Sequence, residues 1–143
     1  MNRALNLLGL MRKANAICIG EEATGSAVRE HSAKLVLLAS DASENAQKRA
    51  IGYIHSSKAP LITVPFTKQE ISKSVGKPGC SMAAICDIGF AEAFMNTLAD
   101  ISPSQYGQIA DSIKIKAAER KKRMSDGSEH RNNKRIGKRR KNA

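Results

Sequence analysis

Apolar residues recur first at helical and then at strand-like spacing, and the two patterns alternate as far as Asp100. Leu5, Leu8 and Met11 or Leu10 share one face, with Arg3, Arg12 and Lys13 elsewhere, which predicts an amphipathic helix over 2–13. Ala16–Ile19 reads as a short strand, and Glu21 to about His31 as a second helix carrying Ala23, Ala27 and Val28. Lys34-Leu35-Val36-Leu37-Leu38-Ala39 is apolar without alternation, as suits a central strand covered on both faces. Asp41 as N-cap, with Glu44 three residues on, predicts a capping box that opens a helix to about His55. Pro60 precedes a strand over Leu61–Val64. Thr67-Lys68-Gln69-Glu70 is a second capping-box match, for a short helix ending near Val75-Gly76. Lys77-Pro78-Gly79-Cys80-Ser81 reads as a loop and Met82–Cys86 as a last strand. Ile88 to Asp100, with Phe90, Ala91, Phe94, Met95 and Leu98, predicts a last core helix.

Helices alternating with four short strands predict an α/β fold, a three-layer α-β-α sandwich around a small mixed four-stranded sheet. Ser102-Pro103-Ser104 breaks the pattern, and the expected organisation is a domain over 1–101 followed by a linker and weak helix over 102–124. The weak helix rests on Tyr106, Ile109, Ile113 and Ala117. From 125 to 143, Ser, Asn, Gly and basic residues dominate, and a disordered polybasic tail is expected.

The junction Ala16-Ile17-Cys18-Ile19-Gly20-Glu21-Glu22-Ala23-Thr24 carries candidate chemistry. A glycine between strand and helix permits a sharp turn. The helix start it opens presents unpaired N–H groups and the positive end of the dipole, a ready site for phosphate. Glu21 and Glu22 offer another reading, in which they satisfy that dipole from within. Gly25, inside the predicted helix, costs about 1 kcal/mol relative to alanine and marks either a close backbone approach or nothing.

Charge changes the picture. The net charge is +11, yet residues 1–113 hold eleven Lys/Arg against ten Asp/Glu, while 114–143 hold thirteen against three. An excess so concentrated points to nucleic acid, or less often to an anionic membrane surface. Cys18, Cys80 and Cys86 form no C-x-x-C pair and read as reduced structural thiols, as in a cytoplasmic protein. The N-terminal stretch leads into a charged helix pattern and not into a signal-peptide cleavage site, and no apolar run approaches a membrane span.

Enzymatic motifs are missing. Gly76-Lys77-Pro78 lacks the first glycine and the Ser/Thr of a phosphate-binding loop, and no G-x-S-x-G string occurs. His31 and His55 fall at helix C-termini, where they complement the dipole, and His130 lies in the tail. Asp41 and Asp87 each follow a strand, where α/β active sites lie, and could in principle be catalytic, but as caps they need no such role. No catalytic residue, metal or cofactor is expected.

At Leu7-Leu8-Gly9-Leu10, Arg12-Lys13-Ala14, Gly20-Glu21-Glu22, Ala33–Ala39, Asp41-Ala42-Ser43-Glu44-Asn45 and Gly89-Phe90-Ala91, the chain resembles the L7Ae/L30e ribosomal protein family, in particular its small bacterial members. The likeness runs from about Leu5 to Leu98 in one register. It implies an α-β-α sandwich that binds kink-turn RNA without catalysis. In that family the turn after the first strand and the start of the second helix read the sheared G·A pairs, and a loop before the last strand closes over flipped-out bases. Carried across, the resemblance implies RNA contacts at Gly20, Glu21, Glu22, Thr24 and Arg29, at Lys68, and at Lys77, Pro78, Gly79, Cys80 and Ser81. The family pair aligned with Glu22-Ala23 is Asn-Glu or Lys-Gln. Here Ala23 is apolar, and a Glu22 carboxylate has no proton to donate to guanine O6 or N7. A basic residue expected one turn further on is replaced by Ser26.

The expected function is therefore that of an RNA-binding accessory protein of ribosome or translation type. Lys134, Arg135, Lys138, Arg139, Arg140 and Lys141 would add phosphate contacts. The partners expected are structured RNA, ribosomal or kink-turn, and also ribosomal proteins; the protein is expected to be a cytoplasmic monomer off the membrane. The alternative is a protein-interaction module of the same fold docking on a ribosomal or RNA-processing factor, in which Glu21 and Glu22 are exposed dipole partners. For the tail, the alternative is an address or a solubilising segment.

Overall fold

The computed structural model describes residues 3–55, 57–78 and 80–120. Its elements in chain order are α1 (Arg3–Lys13), β1 (Ile17–Ile19), α2 (Glu21–Arg29), β2 (Leu35–Leu38), α3 (Glu44–Ile54), β3 (Leu61–Thr63), α4 (Lys68–Val75), β4 (Met82–Ile85) and α5 (Ile88–Ile101). A sixth helix, α6, runs from 103 to 120, the last described residue.

The sheet order is β1-β4-β2-β3. β4 lies antiparallel to both β1 and β2, with Cys18 opposite Ala84 and Val36 opposite Ala84 on its other side. β3 runs parallel to β2, with Leu37 opposite Ile62. β2 and β4 are buried along their whole length, which requires a helix layer on each face. α2 packs on α3, and α1 packs on α4 and α5, so the sandwich has three layers. Ala83 and Ala84 keep the central strand slim where α2 and α5 press on it. Phe94, Leu8, Met11, Leu37, Ile71 and Leu98 are among the largest fully buried side chains.

Two local expectations are corrected. The first concerns Asp41. Helix α3 is capped by Ser43, whose hydroxyl accepts from the Ala46 N–H at 3.1 Å. Asp41 is instead drawn to the next helix, where its carboxylate accepts the Lys68 N–H at 2.8 Å. An acidic side chain at the positive start of α4 meets an otherwise orphan donor there. Thr67 and Glu70 do form the capping box expected of them.

The second concerns residues 102–124. Ser102 ends α5, and its carbonyl at once accepts from Gln105 and Tyr106 at 3.2 and 3.1 Å. Pro103 occupies the first position of α6, where a missing N–H costs nothing. Tyr106, Ala110, Ile113 and Ala117 are buried in the same core as Phe94 and Leu98, so α6 belongs to the folded body and is not a linker. The Val64 N–H pairs inward with Leu38, which leaves the preceding Thr63 carbonyl on the open edge of β3, and the Tyr106 hydroxyl donates to it at 2.8 Å. Residues 121–143 lie outside the described residues.

Candidate nucleic-acid interface

β1 ends where Gly20 takes φ 99° and ψ 165°. That region is essentially closed to residues with a Cβ. The Gly20 N–H donates to the Met82 carbonyl at 3.0 Å, and its own carbonyl accepts the Thr24 N–H at 3.0 Å. α2 therefore starts within one residue of the sheet, and no side chain caps it. Its first N–H groups and its dipole face outward at this end.

Three further bonds close the same end. Ala39 N–H reaches Ser81 carbonyl at 2.9 Å, Ser40 N–H reaches Phe66 carbonyl at 2.8 Å, and the Asp41 carboxylate holds Lys68 N–H. The exits of β1, β2 and β3 and the entrance of β4 thus lie together. The Gly20 turn, Lys68 and the loop before β4 share one surface although the chain separates them widely. The loop is anchored by Ser72, whose carbonyl accepts from Gly76 and Lys77 at 2.8 and 3.1 Å and whose hydroxyl accepts from Cys80 at 3.0 Å.

Of the residues expected here, Glu22, Lys77 and Pro78 are exposed, and Gly20, Glu21, Lys68 and Ser81 are half-buried at the surface. Thr24 and Cys80 are interior supports. Thr24 is fully buried, and its hydroxyl has no partner among the described residues. The Cys80 thiol donates to the Met82 carbonyl at 3.6 Å, and burial pushes it up to about 11. Arg29 is not part of the cluster. It ends α2, about 12 Å along the axis from Glu21 at 1.5 Å per residue, beside the Ser26 hydroxyl at 3.4 Å. Gly79, Lys134, Arg135, Lys138, Arg139, Arg140 and Lys141 lie outside the described residues.

The sequence reading missed Arg49. Its guanidinium, on α3, pairs with the Glu21 carboxylate, and that contact raises its pKa. Glu21 is thus neutralised from the neighbouring helix, while no ion pair to Glu22 occurs among the described residues. Nothing in the spacing of Glu21 and Arg49 announces the contact, because it depends on α2 lying against α3. Gly25 lies at that contact: an added Cβ would meet the Tyr53 ring at 2.8 Å, so the open reading of this glycine resolves as a close approach. An uncapped helix start flanked by Lys68 and Lys77 suits phosphates and acceptor edges. The free Glu22 carboxylate suits a donor such as an exocyclic amino group. Among the described residues no three His, Cys, Asp or Glu converge as metal ligands, and no helix is long and apolar enough to cross a membrane.

The sequence profile of the ribosomal protein L7Ae/L30e/S12e/Gadd45 family matches residues 2–95. The RNA-binding protein YlxQ of Enterococcus faecium is 37% identical over 90 residues, which cover 63% of this chain and 85% of that protein. The RNA-binding protein YlxQ of Bacillus subtilis strain 168 is 34% identical over 96 residues, 64% of this chain and 91% of its own length. Among solved structures, a protein of unknown function from Bacillus halodurans C superimposes with a TM-score of 0.62 at 28% identity, covering 68% of this chain and 97% of that one. The Giardia lamblia 15.5kD RNA binding protein shares the fold, with a TM-score of 0.51 at 19% identity over 71% of this chain and 82% of that one. The family match stops inside α5, so α6 and the basic segment lie beyond it.

Proposed function

The chain belongs to the ribosomal protein L7Ae/L30e/S12e/Gadd45 family, and from that premise we propose that it binds structured RNA, without catalysis, through the end of the sheet where Gly20 opens α2. The observation that carries this reading is the uncapped helix start fixed to β4 by the Gly20–Met82 bond, with Lys68 and the Lys77 loop beside it. The relatives named RNA-binding proteins support the same partner class. The RNA is kink-turn-like, and the setting is that of a ribosome or translation accessory in the cytoplasm. The helix start meets the backbone at the kink, the loop covers exposed bases, and Glu22 accepts from a base amino group where relatives of the family donate. The basic residues of the tail add phosphate contacts of no sequence preference.

The test is a titration of wild type and Gly20→Val against a kink-turn and a plain duplex. A β-branched side chain reshapes the turn that aims the N–H groups. The variant is expected to lose most of its preference for the kink-turn and keep its affinity for the duplex. A folded variant with unchanged preference removes this end from recognition. The glutamates at the helix start favour a second reading, docking on a ribosomal or processing protein, and for it the wild type would show no preference between the two RNAs.

A further inference from the structure

The opposite end of the sheet carries a second concentration of positive charge. There the Lys34 N–H meets the Ile85 carbonyl at 2.7 Å and the Val36 N–H meets the Pro60 carbonyl at 2.9 Å, which brings the starts of β2 and β3 to the exit of β4. Two open clefts of about 350 and 590 Å³ lie here and share His31 and Ser57 in their walls. Together they are lined by Arg29, His31, Lys34, Lys58 and Lys116, with the half-buried Tyr53 ring as an aromatic wall, and by no Asp or Glu. Lys116 is steadied by donating to the Lys58 carbonyl at 3.4 Å. Asp87, at this end, is paired with Arg120 at 3.5 Å, and the exposed Glu30 lies between Arg29 and His31 in the chain without lining either cleft. Arg120, the last described residue, lies at this end, and the sequence that follows it is the most basic of the chain.

We infer that this groove is a second nucleic-acid site, which holds a single RNA strand beside the structured element bound at the Gly20 end. Cations along the walls of two clefts that share His31 and Ser57, with an aromatic ring in one of them, match what a single strand requires, phosphate neutralisation and a face on which an unstacked base rests. A duplex has no free base for Tyr53. The two ends take different features of one RNA, the Gly20 end its folded shape and the far end its flanking strand. The inference rests on RNA being the partner, and its test is independent of kink-turn recognition.

Full-length wild type, Lys34→Gln/Lys58→Gln/Lys116→Gln and Gly20→Val are titrated with an unstructured fifteen-nucleotide strand, roughly the upper site size of one binding fold, and with a blunt kink-turn hairpin. The triple variant should bind the strand about tenfold more weakly and the hairpin within about twofold of wild type. Three lost phosphate contacts should also flatten the strand's log–log salt slope by about 2. Gly20→Val should leave strand binding unchanged. Equal strand affinity of wild type and triple variant overturns the inference, as does a loss confined to the hairpin. The exposed Lys58→Gln alone, which keeps both other lysines, should show a smaller loss of the same kind. A strand carrying 4-thiouridine should crosslink to Tyr53 or His31 on irradiation, and crosslinks confined to the Lys77 loop or the tail overturn the placement.

Discussion

Thr24 sits directly beneath the Gly20 turn with its hydroxyl fully buried and without a partner among the described residues. A desolvated hydroxyl with no hydrogen bond is a cost that an isosteric methyl removes. Thr24→Val is therefore expected to raise stability by about 1 kcal/mol in urea denaturation and to leave RNA affinity unchanged, because the side chain does not reach the surface. A drop in RNA affinity with stability intact would give the hydroxyl a role at the interface. Cys80 lends itself to a pH experiment. Burial raises its thiol from 9.0 to about 11, and burial with the neighbouring Cys18 raises Cys86 to about 11 as well. The folded protein holds these protons more tightly than the unfolded chain, so their contribution is complete below about pH 9 and disappears as pH rises through 11. Stability should fall across that window, and less steeply in Cys80→Ala. Parallel curves for the two proteins would exclude Cys80 as a source of the alkaline loss.

At the scale of elements, most of the sandwich was legible because each element carries its own signal. The apolar run of β2, the capping box of α4 and the 3.6-residue period of α5 are local, and local patterns survive folding unchanged. In the sequence, 102–124 offers only a linker and weak helix, because Ser102-Pro103 looks like a stop. The same two residues make an efficient start, a carbonyl that receives the first turn and a proline at its first position. Asp41 was misplaced for the opposite reason, since its partner at Lys68 is visible only once β2 and β3 lie side by side. The convergence of the Gly20 turn and the Ser72-anchored loop is legible only through family resemblance, and the pairing of Glu21 with Arg49 is not legible at all. The burial of α6 sets an expectation for truncation. A chain ending at Ile101 loses Tyr106 and Ile113, each worth about 1.5–3 kcal/mol of burial, and bares the Thr63 carbonyl. It should lose cooperative thermal melting or fall several degrees in Tm, whereas a chain ending at Arg120 should melt as the full protein does. Equal melting of both shortened chains would make α6 dispensable.

For the whole molecule the distribution of charge matters more than its sum. The first 113 residues are nearly balanced, and the excess lies in the remainder. If roughly five of the cations there meet phosphates, log affinity should fall against log salt with a slope of about −3.5 to −4.5. The chain ending at Arg120 should lose most of that slope and weaken for all RNAs by similar factors, while its preference for a kink-turn over a mutated version persists. The residual slope belongs to the lysines that remain on the folded body. Titrations at several salt concentrations measure both quantities. Equal slopes with and without residues 121–143 would leave those residues an addressing or solubilising role.

The place of β4 has a consequence for when the protein becomes competent. β1 and β2 never touch through backbone bonds, and each is joined to the sheet's other half only by the strand made last. The Gly20 turn is aimed by Met82 and the Ser40 turn neighbours the Ser81 joint, so neither is in place until the ribosome has released the final strand. Long-range closure of this kind is slow relative to helix formation. A nascent chain with its first three strands exposed therefore has most residues of the candidate interface but not their arrangement. The candidate interface takes shape only when Met82–Ile85 joins the sheet, and a ligand that clamps this end favours chains in which β4 is in place.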